Sequence, residues 1–265
     1  MRIGCRPEGE KSIIVTGEDQ MNQKTGILYG LGVGPGDPEL ITLKAARILN
    51  SADVVYAAAS SKNSYSLAVS IARPHIPDLT AVKMLPFPMT ADPKVKKDAW
   101  HQNALTLIEE LEQKKIVAFM TLGDSMTYST YGYVLKHVRK LAPHIPIISV
   151  PGITSYQASA ACLNSPLVEG EEALLIVSGV TGGDILRKFA VTPDNLVFMK
   201  AYRNIADITV ALEETGLLEN SVVVKNCGLP DQQVITDIKT LESSPPNYWT
   251  LVLAKQKKID APEES

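Results

Sequence analysis

Read from its amino terminus, the chain alternates short apolar runs with stretches of helical period. Ile27–Leu31 is the first apolar run, and a glycine-rich turn leads from it into a helical pattern ending near Asn50. Asp53–Ala58 reads as a second strand, Ser66–Ala72 as a helix stopped by Pro74, and Thr80–Leu85 as a third strand. Asp92-Pro93 announces the clearest helix, because Asp is a strong N-cap and Pro suits the first helical position. Behind it Trp100, Ala104, Leu107 and Leu111 recur at spacings of 4, 3 and 4, one apolar stripe for a core. Ile116–Leu122 is the fourth strand, and the helix after it turns Tyr131, Val134, Leu135, Val138 and Leu141 inward. Ile145–Val150 is the fifth strand, and Thr154 caps a short helix of small residues.

Beyond Pro166 the alternation resumes with strands at Ala173–Ser178, Leu196–Ala201, Ser221–Asn226, Gln233–Ile238 and Tyr248–Lys255. Helices are predicted near 184–190 and 205–215, the second closed by Gly216 at the position where helices favour glycine. No long helix separates the last two strands, so they are expected to pair antiparallel. Repeated strand–helix units imply α/β architecture: two α/β domains, 26–166 with a parallel sheet and 167–258 with a mixed one. Residues 1–25 and 259–265 carry no period and read as tails, and Met21 is a plausible natural start.

Length supports the same division, since 265 residues exceed the roughly 150 of one average domain. Apolar residues at 45% and charged residues at 21% fit an ordinary soluble globular chain, and no apolar run approaches the 18 residues of a membrane span. A net charge of −3 argues against a protein that coats nucleic acid phosphates, while leaving room for a local basic pocket. Cys5, Cys162 and Cys227 fit no zinc or redox spacing, so they are expected to be incidental thiols in a reducing cytosol. The first 25 residues lack a signal peptide's apolar segment and contain Glu8, Glu10, Glu18 and Asp19, which also points to the cytoplasm. His75, His101, His137 and His144 form no ligand set, so no metal site is expected.

Three turns carry the candidate chemistry. Gly32-Val33-Gly34-Pro35-Gly36-Asp37-Pro38 follows the first strand, at the end of the strand where open α/β sheets bind ligands. Glycines there let a ligand approach the backbone, and the N–H groups of a helix start face it. A Walker loop is excluded because no lysine follows the glycine turn until Lys44, and a dinucleotide fingerprint fails because Asp37 stands where its third glycine belongs. Leu122-Gly123-Asp124-Ser125 ends the fourth strand, where Asp124 either meets a ligand or caps the Tyr131 helix. Pro151-Gly152-Ile153-Thr154-Ser155 ends the fifth. Three such turns at one sheet edge favour a binding rim.

In order and spacing, these three motifs resemble the tetrapyrrole methylases, which use S-adenosylmethionine and differ in fold from Rossmann-type methyltransferases. The resemblance covers about residues 26–257. Phe87-Pro88-Met89-Thr90, Phe119 to Met126, Tyr128-Ser129-Thr130, Val168-Glu169-Gly170 and Met199-Lys200 are similar to the branch acting at carbon 20 of precorrin-2 or cobalt-factor II in cobalamin biosynthesis. Uroporphyrinogen methylases show Gly-Gly-Asp-Pro where this chain has Leu122-Gly123-Asp124-Ser125.

The resemblance implies a cofactor site in a cleft between the domains, at Pro35, Leu122, Gly123, Asp124, Thr127, Thr154, Ser155, Met199 and Cys227. Most of these contacts would be backbone, which is how Leu, Met and Cys can serve. It further implies a tetrapyrrole substrate with eight carboxylates, for which Lys200 and Arg203 are the expected partners and Lys62 and Lys83 weaker candidates. Methyl transfer from a sulfonium to an electron-rich carbon should rest on alignment. Asp37 is the candidate base for the final proton. A homodimer without nucleic-acid or membrane partners is expected. Within the family the alternatives are another corrin carbon, uroporphyrinogen III or diphthine synthesis, and outside it a small-molecule sensor.

Overall fold

The computed structural model describes residues 25–60, 66–189, 191–242, 247–257 and 259. Cys5, Lys62 and nearly all of both tails therefore lie outside the described residues. The first sheet is built from β1 (Ile27–Gly32), β2 (Val54–Ser60), β3 (Ala81–Phe87), β4 (Ile116–Thr121) and β5 (Ile147–Val150). All pairs are parallel, in the order β3-β2-β4-β1-β5. The central strands β1 and β4 are almost wholly buried, as their unbroken apolar runs require when helices cover both faces. On one face lie α1 (Leu43–Ser51) and α2 (Leu67–Ala72), which bury Ile48, Leu49 and Ile71. On the other lie α3 (Pro93–Glu112) and α4 (Tyr131–Leu141), which bury Leu107, Leu111, Tyr131, Val134 and Val138.

Asp92 caps α3 as its sequence demands, accepting from the backbone N–H groups of Lys94 and Val95. Leu141 departs from expectation and is 39% exposed. Counted at 100° per residue, it lies about 70° off the mean direction of Tyr131, Val134, Leu135 and Val138, beyond the edge of the buried stripe.

The second sheet holds β6 (Leu174–Ser178), β7 (Asn195–Met199), β8 (Ser221–Lys225), β9 (Gln233–Ile235) and β10 (Thr250–Lys255), in the order β6-β7-β10-β8-β9. It is mixed: β6 and β7 are parallel, and the other pairs antiparallel. The molecule thus comprises two α/β domains. The last two strands do not pair with each other, contrary to expectation; each lies antiparallel to β8, one on either side. Burial gives the reason. Every residue of β10 is buried, so its apolar run takes a central place, whereas short β9 is partly exposed and takes the edge.

α7 (Ile205–Glu214) covers one face of this sheet through Ile208, Ala211 and Leu212, next to the short α6 (Asp184–Arg187). The opposite face receives α5 (Ser155–Leu163), the helix that follows the first sheet in sequence. Its Ala158 and Leu163 share a core with Val197, Val222, Val224, Leu251 and Leu253. α5 therefore joins the two sheets.

Candidate functional site

Strand order brings the three predicted turns together. β4, β1 and β5 are adjacent and parallel, so their carboxyl ends share one sheet edge. There the turns close upon one another rather than standing apart. Gly34 and Gly123 exchange backbone hydrogen bonds, N to O at 3.2 Å in one direction and 2.7 Å in the other. A Cβ on Gly152 would stand 2.2 Å from the Gly123 carbonyl oxygen, and one on Gly32 2.6 Å from it. The glycines at 32 and 152 are thus required by backbone meeting backbone, a different reason from the ligand approach that their pattern suggested.

Asp124 locks this arrangement. Its Oδ1 accepts from Met126 N at 2.8 Å, and its Oδ2 accepts from Gly152 N at 3.0 Å across the turns. The helix cap at Tyr131 is Thr130, so the expected alternative of Asp124 as N-cap is corrected. Thr154 does cap its helix, in a capping box with Gln157.

The glycine loop also sets the second domain in place. A Cβ on Gly36 would lie 2.5 Å from the Cys227 carbonyl oxygen, so backbone rests on backbone at this seam. Between the domains opens a cleft of about 590 Å³, within the range of small-molecule sites. From the first domain Pro35, Leu122, Gly123, Asp124, Thr127, Thr154 and Ser155 line it; from the second, Met199, Lys200, Arg203 and Cys227. Asp37 does not. Its Oδ1 accepts from Glu39 N at 2.8 Å and caps the turn Pro38–Leu40, which occupies the carboxylate beside the seam. Lys83 is likewise placed elsewhere, paired with the buried Glu110 at 2.6 Å. Burial pushes the Cys227 thiol up, which disfavours the reactive thiolate.

The model of the tetrapyrrole (corrin/porphyrin) methylases matches residues 27–242. The chain belongs to this family. It is 36% identical to the cobalt-precorrin-2 C(20)-methyltransferase of Salmonella typhimurium strain LT2, over 88% of this chain and 97% of that protein. It is 29% identical to the precorrin-2 C(20)-methyltransferase of a Sinorhizobium species, over 86% and 94%. In fold it is similar to uroporphyrin-III C-methyltransferase from Thermus thermophilus complexed with S-adenyl homocysteine. That likeness has a TM-score of 0.65, 24% identity, and coverage of 87% of this chain and 92% of that one.

Several lining residues of this tetrapyrrole methylase were not assigned to the site from sequence, although Tyr128 stands in the motif Tyr128-Ser129-Thr130. Tyr128, Tyr202, Tyr248 and Trp249 form an aromatic wall. Tyr248 reads as part of the last strand, but the strand starts at Thr250, leaving Tyr248 and Trp249 each 41% exposed on its approach. Aromatics before a strand ordinarily signal core, so no local signal separates these from buried ones. Three residues of the lining are also non-glycines with left-handed backbone: Tyr128 at φ 49°, Lys200 at 59° and Asn226 at 53°. Asn226 is held there by its side chain, which donates to Asp231 and accepts from Asn247, both at 2.7 Å. Lys200 and Arg203 form no ion pair among the described residues.

Proposed function

We propose that this chain methylates carbon 20 of precorrin-2, or of its cobalt-containing counterpart cobalt-factor II, with S-adenosylmethionine as the methyl donor in cobalamin biosynthesis. The observation that carries this reading is the identity of 36% across nearly the whole of a cobalt-precorrin-2 C(20)-methyltransferase. The cleft suits the donor. Glycine turns offer backbone groups along one wall, and Asp124 is its one carboxylate among the described lining residues, an acceptor for a ribose hydroxyl. Pro35, Leu122, Gly123, Thr127, Thr154, Ser155, Met199 and Cys227 would hold it with Asp124. When bound, the donor supplies an electrophilic methyl on a sulfonium that departs as a neutral thioether.

The chain's own residues do the remaining work by placement. The three turns are rigid because backbone meets backbone, so the wall they form holds its shape while a ring carbon is aligned. Lys200 and Arg203 face a substrate with many carboxylates, and the aromatic wall excludes water from its ring. Asp37 acts in this proposal as a cap at the seam. The proton of the methylated carbon passes to water or to a substrate carboxylate, and a weak base suffices because the methylated ring is electron-poor. The protein is further proposed to act as a homodimer in the cytoplasm, which sedimentation at micromolar concentration would test. Among the described residues no helix is long and apolar enough to cross a membrane.

The test offers the chain S-adenosylmethionine with metal-free precorrin-2 or with cobalt-factor II, followed by mass spectrometry. One added methyl on one of the two is expected, and it also decides whether the natural substrate carries cobalt. Absence of product with both, under conditions where a uroporphyrinogen control is methylated, overturns the reading.

A further inference from the structure

Among the described lining residues the charged side chains are Asp124, Lys200 and Arg203. Asp124 is engaged with the backbone N–H groups of Met126 and Gly152, whereas the two cations lack any carboxylate partner there. The Lys200 ammonium sits between two rings contributed by different domains, 5.9 Å from the Tyr128 centroid and 5.7 Å from that of Tyr248. Among the described residues its one hydrogen bond is long, 3.4 Å to the Tyr128 carbonyl oxygen, although an ammonium has three donors. The backbone of Lys200 is left-handed, a conformation that strains any residue carrying a Cβ and that glycine would adopt freely.

An ordinary ion pair would fix the ammonium and also consume it. Ring faces fix it without consuming it, because they attract the cation while leaving its N–H donors free. Arg203 repeats the arrangement with its guanidinium 5.2 Å from the Tyr202 ring, and Tyr202 meets Tyr248 edge-on at 5.4 Å. We infer that Lys200 is a pre-positioned anchor for one carboxylate of a polycarboxylate macrocycle, and that Tyr128 and Tyr248 are positioning residues that hold its ammonium in the cleft. The macrocycle's identity rests on the proposed function; the anchor itself rests on the geometry. A cation already confined by two rings loses less side-chain freedom when its ligand arrives.

The octacarboxylate porphyrin uroporphyrin III serves as the probe, titrated into the full chain and followed by tryptophan fluorescence, since Trp249 lines the cleft. Lys200→Met is expected to weaken its binding at least about tenfold, the scale of a lost charged hydrogen bond. Tyr248→Leu is expected to weaken it about two- to fivefold, the scale of an exposed cation–π contact. Tyr248→Phe keeps the ring face and restores most of the affinity. The dissociation constant of S-adenosylhomocysteine stays constant across the series, which a merely structural role for these residues would not allow. Unchanged porphyrin affinity in Lys200→Met, or a parallel loss of S-adenosylhomocysteine affinity, overturns the inference. If the wild type binds the porphyrin through Lys200 yet methylates neither precorrin-2 nor cobalt-factor II, the anchor stands and the proposed function falls.

Discussion

Asp124 shows how one side chain can serve two purposes at a strand end. Each oxygen accepts a backbone N–H, from Met126 and from Gly152, while the residue still lines the cleft. Asp124→Asn converts one acceptor into a donor, so one of these bonds must fail. We expect a stability loss of about 1 kcal/mol together with roughly tenfold weaker S-adenosylmethionine binding. Denaturant melts and calorimetric titration measure the two; a variant that loses stability alone would make Asp124 a purely structural tie. At its neighbour Gly152 the sequence pattern was informative for a reason it did not disclose. Glycine is needed there because the Gly123 carbonyl occupies the space of a side chain.

At the scale of elements, α4 carries a glycine with no such excuse. A Cβ on Gly132 would meet nothing within 4 Å, and its backbone is not among those with positive φ. Gly132→Ala should therefore stabilise the protein by about 0.5–1 kcal/mol, since alanine loses less freedom on entering a helix. A lower melting temperature for this variant would contradict the open space around it. The contact of α3 with β2 and β3 includes a charged cluster: buried Glu110 accepts from Tyr56, Lys83 and Lys115. Lys115 first, and Lys83 next, hold its carboxyl down at about 2. A carboxyl with a lowered folded-state pKa stabilises at pH above its ordinary value of about 4.3, and that contribution disappears as the pH falls toward 2. The wild type should lose on the order of 2–3 kcal/mol more than Glu110→Gln between about pH 5 and pH 2, measured by urea melts across that window. Parallel stability curves for the two would remove Glu110 from the acid response.

For the molecule as a whole, the relation of the two sheets matters most. It is set by α5 and by the seam at Gly36, where the loop of the first domain rests on the Cys227 carbonyl of the second. Gly36→Ala must push that seam apart, because a Cβ would come to 2.5 Å from backbone that cannot rotate away. Stability is expected to drop by about 1–3 kcal/mol, the ordinary cost of forcing extra atoms into a filled space. S-adenosylhomocysteine binding should weaken by about tenfold or more, since Pro35 and Cys227 line the cleft from opposite sides of the seam. Binding that survives unchanged would show that the cleft tolerates movement between its walls.

What the sequence determined by itself was local. The apolar periods placed the strands and helices, Asp92 and Thr154 announced their caps, and the glycine turns marked where a ligand rim would form. The motif resemblance went further and named residues from both domains that the fold does gather in one cleft. Tertiary structure alone decided which strands became neighbours, and with that the closure of the β1, β4 and β5 turns on one another. It also gave β10 its central place, took α5 across to the second sheet, tied Lys83 to Glu110 and left Asp37 capping a turn outside the cleft. Tyr248 and Trp249 became cleft wall rather than core for the same reason. Periodicity reports how much of a segment will be buried, and it is a property of the segment. Which partner buries it depends on segments far away in the chain, and only the folded whole brings those together.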